Sequence, residues 1–151
     1  MDAPREGPAD GDGAADDAED RRTVVVDGNN VIGSVADGWW RDRPGAVRRL
    51  LARLQCYRRA AGGTVVLVLD VPQRDLPAGG HDGVEVVYAT RRGRDAADER
   101  IVELLAAGEW SGRVEVVTSD RALAADARAT AVRPTVTGAR TFLSRVEERG
   151  C

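Results

Sequence analysis

Four short Val-rich runs restrict the fold of this chain more than any other feature: Thr23–Asp27 (TVVVD), Thr64–Leu69 (TVVLVL), Val84–Tyr88 (VEVVY) and Val114–Thr118 (VEVVT). Each reads as a buried strand. Between them lie longer stretches of helical periodicity. Pro44 to about Ala61 sets Val47, Leu50, Leu51, Leu54 and Tyr57 at helical spacing, with Pro near its start and Gly62-Gly63 just past its end. Asp95 to Ala107 turns Ile101, Leu104 and Leu105 inward, and a helix opening at Ser119 or Asp120 runs to about Ala129. Ala131–Val136 reads as a short fifth strand, and Gly138 to Glu148 as a last helix with Phe142, Leu143 and Val146 on one face. The segment holding Pro72, Pro77, Gly79, Gly80 and Gly83 reads as a loop. Val-rich strands alternating with helices predict an α/β fold, a central and mostly parallel sheet flanked by helices.

The 151 residues suffice for one domain with a proper core, placed at residues 22–148, with 149–151 as a short C-terminal tail. Residues 1–21 are different material. Eight acids stand there against Arg5 in the first twenty positions, a charge of −7 among Ala, Gly and Pro, which predicts a disordered acidic tail. The overall charge of −3 therefore conceals a domain of about +4, compatible with nucleic acid. No run approaches the roughly 18 apolar residues that span a bilayer, and the acidic N-terminus is no secretory signal. The expected compartment is the cytoplasm, with no membrane partner. Either a monomer or a homodimer fits the sequence.

Composition also removes chemistry. All 22 basic residues are Arg, so Walker-A phosphate binding and Schiff-base catalysis are excluded. His81 is the single histidine, which rules out a two-histidine acid–base pair within one chain. Cys56 in a helix and Cys151 at the last position make a poor disulfide framework, and Cys56 is expected as a buried or half-buried thiol. Carboxylates, hydroxyls, Arg and Asn remain.

Ligands of open parallel sheets bind outside the carboxyl ends of the strands. Asp27, Asp70 and Asp120 each follow a different Val-rich run, and Asp95, Asp98 and Glu99 open the helix after the third. Two like charges about 4 Å apart repel by roughly 4 kcal/mol at an effective dielectric of 20, so such a cluster calls for protons, Arg partners or a hard cation. Mg2+ or Mn2+ suits oxygen donors without His or Cys.

VVVDGNNVIG (Val24 to Gly33), Leu69-Asp70, DAADERIVELL (Asp95 to Leu105) and VVTSDRAL (Val116 to Leu123) resemble, in order, the motifs of YacP-like NYN-domain proteins within the PIN-like ribonucleases, and TGARTFLSRV (Thr137 to Val146) is similar to that family's closing helix. The resemblance implies a PIN-like (NYN) three-layer fold, a divalent metal and endoribonuclease activity, with ribosome-associated mRNA among the implied substrates and the ribosome as an implied partner. It implies that Asp27, Asp98 and Asp120 are metal-site aspartates, that Glu99 is the acid after the helix aspartate, and that Asn30 and Asp70 match the asparagine of the first motif and the aspartate closing the second strand. Where family members often carry Ala-His after that aspartate, this chain has Val71-Pro72, and His81 does not obviously replace the histidine.

Each assignment has a plainer alternative. Asp27 can form an Asx turn with Gly28; Asp98 and Glu99 can complement the helix dipole; Asp95 reads better as an N-cap than as a ligand. Ser119 and Asp120 can cap their helix, or Ser119 can touch substrate or orient a ligand. Asn30 can cap a turn or orient a carboxylate or phosphate. Arg74, Arg91, Arg92 and Arg94 can be solvated charges or hold RNA phosphates. Trp39 and Trp40 can pack against the sheet edge or stack on bases. The leading expectation is a Mg2+- or Mn2+-dependent endoribonuclease that cuts single-stranded RNA with water activated by the metal, with Asp27, Asp98 and Asp120 holding the ion and Glu99 and Asp70 in or next to its ligand set. Two alternatives stay open: an RNA- or ribosome-binding module with little turnover, and a phosphatase or nucleotide hydrolase using the same carboxylates.

Overall fold

The computed structural model describes residues 22–108 and 110–151; the expected acidic tail, 1–21, lies outside the described residues. The chain runs β1 (Thr23–Asp27), α1 (Gly28–Gly33), a 3-10 turn (Trp39–Arg41), α2 (Arg43–Ala61), β2 (Thr64–Leu69), β3 (Gly79–His81), β4 (Val84–Tyr88), α3 (Ala96–Ala107), β5 (Val114–Val117), α4 (Arg121–Arg128), β6 (Thr135–Thr137) and α5 (Ala139–Glu148). Six strands form one sheet in the order β3-β4-β2-β1-β5-β6. Every pairing is parallel except β3 with β4.

The alternation of side chains along a strand divides the core. Val24 and Val26 face Leu54, Tyr57, Phe142 and Val146 on the layer of α1, α2 and α5, whereas Val25 faces Ile101, Leu105, Leu123 and Ala127 of α3 and α4. Both faces of β1 are covered, which is why TVVVD is buried throughout and its three central valines run on instead of alternating with polar residues. The expected three-layer α/β architecture is the observed one. Among the described residues no helix is long and apolar enough to cross a membrane.

Several elements differ from expectation, each for a local reason. GNNVIG forms a short helix, α1, directly out of β1. Its first residue must be glycine: a Cβ on Gly28 would lie 2.7 Å from Leu69 Cδ2 and 2.9 Å from the Val68 carbonyl. The segment read as a loop contains β3, an edge strand that no β-branched residue announces. Its hairpin is set by Asp82 (φ 48°) and Gly83 (φ 92°), between the paired His81 and Val84. Such an Asp-Gly pair supplies the two left-handed residues of a tight hairpin turn. The last strand starts at Thr135, four residues later than read, because Thr130 to Val132 continue as a turn after α4.

The cysteine reading is corrected. Cys56 and Cys151 form a disulfide across 95 residues, with their Cα atoms 5.7 Å apart. Sequence separation concealed it. The turn that ends α5 folds the last residues back, with Cys151 N–H donating to Val146 O (3.2 Å), and Arg53 Nε on α2 holds the Cys151 carbonyl at 3.2 Å.

Candidate active site

The strand order explains where the acids meet. After β1 the chain builds outward on one side through β2 and β4, then returns over α3 to lay β5 on the other side of β1. A crevice opens at such a reversal, outside the carboxyl ends of the strands. Asp27 ends β1 on one side of it, and Thr118-Ser119-Asp120 follow β5 on the other.

Asp27 is 3% exposed. Thr118 Oγ1 donates to its Oδ2 at 2.8 Å, and Thr118 Oγ1 in turn accepts from the Asp120 backbone N–H at 3.1 Å. Burial raises the Asp27 carboxyl above the usual carboxylate range; the Thr118 hydroxyl and the Asn30 backbone N–H oppose this, and the charges of Asp120 and Asp70 add to the rise. Asp120 occupies the N-cap of α4, its Oδ1 accepting from Leu123 N–H at 3.0 Å. Capping thus engages one carboxylate oxygen, and the residue also lines a cavity of about 530 Å³ between α3 and α4. The same cavity is lined by Asp95, Asp98, Glu99, Asp126 and Arg91. Asp98 is pushed up from the usual 3.8 to about 6, first by partial burial, then by the charges of Asp27, Asp120, Asp95 and Asp126. The three aspartates of the first, third and fourth motifs therefore act on one another electrostatically.

The other expected residues separate into distinct places. Glu99 sits at the exposed rim, 4.0 Å from Arg91 Nη1. Asp95 holds the N-cap position of α3 without the expected capping bond; only its backbone carbonyl engages, accepting from Glu99 N–H at 3.0 Å. Asp70 is set apart from this cavity. Asn29 grips it reciprocally, Nδ2 donating to Asp70 Oδ1 (2.9 Å) and Oδ1 accepting from Asp70 N–H (3.1 Å), while Arg43 stands 3.5 Å away. Asp70 lines an adjoining cleft with Val71, Pro72, Arg91 and Arg92. Arg94 is exposed in the same loop, and Arg74 lies away from it, beside Leu51 and Leu76. Asn30 Oδ1 accepts from Ser119 N–H at 2.8 Å, and Ser119 Oγ accepts from Ala139 N–H at 2.9 Å, at the start of α5. Both residues therefore tie α1, the β5–α4 turn and α5 together, and among the described residues each keeps a donor free.

Sequence reasoning missed Thr118, Asn29 and Asp126. Thr118 and Asn29 lie inside motifs already quoted, beside the acids that drew attention. Asp126 shares the cavity only because α4 packs on α3.

The donor set around the cavity is carboxylate oxygen, which fits a hard divalent cation, and a cation would relieve the repulsion that adds to burial in raising Asp98. Among the described residues no three His, Cys, Asp or Glu side chains are grouped to hold an ion by themselves. Mg2+ tolerates that arrangement, since it is usually bound through one or two carboxylates and keeps several waters.

Comparison with known proteins identifies relatives of the fold. The YacP-like NYN domain family matches residues 24–149. None of the curated proteins matches the chain. Crystal structures of Rae1 (YacP) from Bacillus subtilis share the fold. The W164L mutant aligns with a TM-score of 0.68 at 24% identity, over 85% of this chain and 77% of that one. A second structure of Rae1 aligns with a TM-score of 0.62 at 26% identity, over 85% and 75%. With its family match covering all of the sheet but Thr23 and every acid of the cavity, the chain belongs to the YacP-like NYN domain family, a PIN-like ribonuclease family.

Proposed function

We propose that this protein is a divalent-metal-dependent endoribonuclease acting on single-stranded RNA at the carboxyl edge of its sheet. One observation carries the reading: Asp98 and Asp120, from separate elements, line one cavity at the carboxyl edge of the sheet, where partial burial and then the charges of Asp27 and Asp120 raise Asp98 to about 6. A fold gains nothing in stability from such repulsion, so the arrangement points to a bound cation.

Asp27, Asp98 and Asp120 would hold Mg2+ or Mn2+, and when bound the cation polarises a phosphoryl oxygen and lowers the pKa of water. The rest belongs to the chain. Thr118 and the Asn30 N–H fix Asp27, and the α4 cap fixes Asp120, so neither must reorganise when charge develops. Arg91 and Arg92 flank the cavity and the adjoining cleft, placed to hold phosphates through their planar guanidinium groups. Water attacks phosphorus and the P–O3′ bond breaks. The leaving oxygen takes up a proton, giving 5′-phosphate and 3′-hydroxyl ends.

The test is cleavage of labelled single-stranded RNA by wild type and Asp98→Asn in magnesium, manganese or EDTA. Metal-dependent cutting that is lost in the variant, with 5′-phosphate ends, is expected. Products carrying 2′,3′-cyclic phosphate would overturn the water mechanism. RNA binding without cutting, unchanged in EDTA, would favour a binding module, a reading supported by Val71-Pro72 in place of the family's Ala-His.

A further inference from the structure

Trp40 is 59% exposed, yet it is built into a fixed setting. Its ring meets Trp39 edge-to-face, centroids 6.0 Å apart and planes at 89°. Trp39 is half-buried and reaches the end of α1, within 4.0 Å of where a Gly33 Cβ would stand. The 3-10 turn that carries both is anchored at each end. Gly38 enters it in a left-handed conformation (φ 77°), and Asp42 leaves it by capping α2, accepting from Gly45 N–H at 3.1 Å. Trp39 is the indole turned toward the fold, and Trp40, resting on its edge, is the one left mostly in solvent.

Two guanidinium groups accompany the indoles. Arg41 lies 5.8 Å from the Trp40 ring centroid, and Arg43 lies 5.8 Å from that of Trp39. Arg43 also reaches Asp70, whose charge acts on Asp27. One side chain thus spans from the indole pair to the carboxylate edge. The acids nearby are engaged: Asp37 lies 3.9 Å from Arg49, Asp42 caps α2, and Asp70 is held by Asn29 and Arg43. A rigid exposed aromatic beside Arg groups is the usual means of holding unpaired nucleotides, the ring taking a base face and the cations the backbone.

We propose that Trp40, seated on Trp39 and flanked by Arg41 and Arg43, is a base-stacking site for an unpaired stretch of the RNA strand that passes the carboxylate edge. It rests on the ribonuclease reading for its substrate and adds a source of selectivity. Base faces are covered in a duplex, so the site distinguishes unpaired from paired RNA.

The experiment measures binding of the full chain in EDTA, where no cutting occurs, using a short labelled single-stranded RNA, an abasic strand of the same length, and a duplex. Trp40→Ala should weaken the single strand about tenfold, the loss of one base–aromatic stack. Trp40→Phe should retain most of the affinity, and the abasic strand and the duplex should bind wild type and Trp40→Ala alike. Unchanged thermal melting of Trp40→Ala would confirm an intact fold. Equal binding of the single strand by wild type and Trp40→Ala would overturn the proposal, as would an equal loss on the abasic strand. No binding of the single strand by wild type would also overturn it and leave the indole to a protein partner. Trp40-dependent binding without cleavage in magnesium would uphold the site and remove the nuclease reading; cleavage with affinity independent of Trp40 would do the reverse.

Discussion

Replacing Asp98 with Asn should stabilise the protein in EDTA, an unusual outcome for a residue in the candidate active site. Asp98 is raised from 3.8 to about 6 by partial burial and four neighbouring carboxylates. At full strength that difference corresponds to about 3 kcal/mol. Asp98 is half-exposed, and solvent screening reduces the figure to about 1 kcal/mol. No hydrogen bond to the Asp98 carboxylate exists among the described residues, so the amide breaks none. For a domain of this size the gain is about 3 °C in Tm. The pH dependence has a definite sign. Below 3.8 the carboxyl is protonated in both states and wild type resembles the variant. Between 3.8 and about 6 the unfolded chain ionises while the folded one keeps its proton, so wild-type stability falls as pH rises. Above 6 the deficit is complete. Paired melts at pH 4, 5, 6 and 7.5 should therefore diverge as pH rises. Magnesium adds the second half of the assay. A cation at ten times its Kd stabilises the folded state by about 1.4 kcal/mol, and wild type should gain this while Asp98→Asn gains little. A variant less stable than wild type at pH 7.5 in EDTA would refute the reasoning, because Asp98 would then be a satisfied charge.

Two structural predictions follow from groups outside the cavity. Arg145 Nη2 donates to both carboxylate oxygens of Glu115 (2.9 and 2.8 Å), and the Thr137 hydroxyl also donates to Glu115, so the acid joins β5, β6 and α5. Glu115→Ala leaves the half-buried Arg145 guanidinium without its carboxylate and should cost about 2 kcal/mol in urea unfolding, somewhat under the usual figure for a buried pair because Arg145 can turn to water; a loss within about 0.5 kcal/mol would show the pair to be incidental. Reduction of the Cys56–Cys151 disulfide, which closes a loop of 95 residues, should lower stability by up to about 4.7 kcal/mol on chain entropy. Equal urea midpoints with and without dithiothreitol would show that the packing of α5 on α2 holds the C-terminus unaided.

Much of this architecture is legible in the sequence because both of its periodicities are strong. The Val runs can be buried only as inner strands, and Leu50, Leu54, Tyr57 and Phe142, Val146 mark the helix faces that cover them. Asp27 and Asp120 are readable for a related reason: an acid immediately after an inner strand of a parallel sheet is carried to its carboxyl edge. What escaped the sequence depends on contacts between distant segments. Thr118 is an ordinary strand-end threonine until β5 lies beside β1, where its hydroxyl meets Asp27. Asn29 acquires a purpose only when β2 brings Asp70 to it across 41 residues. The Cys56–Cys151 pair depends on how α5 ends, and β3 exists because the Asp82-Gly83 turn folds two glycines and a histidine onto β4.

The side chains that hold the acids and the turn between them share one property: they are neutral. Asn29, Asn30, Thr118 and Ser119 make the hydrogen bonds that fix Asp70, Asp27 and the turn leading to Asp120, and none adds charge to the edge. Arginines in their places would lower the repulsion among the carboxylates, and in doing so would compete with a divalent cation for the same oxygens. Neutral donors instead satisfy one oxygen of a carboxylate by a hydrogen bond and leave its charge intact. Arg is correspondingly kept to the rim, where Arg91, Arg92 and Arg43 stand beside Glu99 and Asp70. Under the proposed function, that placement separates two tasks that oppose each other at close range. Concentrating negative charge at Asp27, Asp98 and Asp120 favours a cation, and drawing a polyanion toward it requires positive charge nearby but not within the cluster.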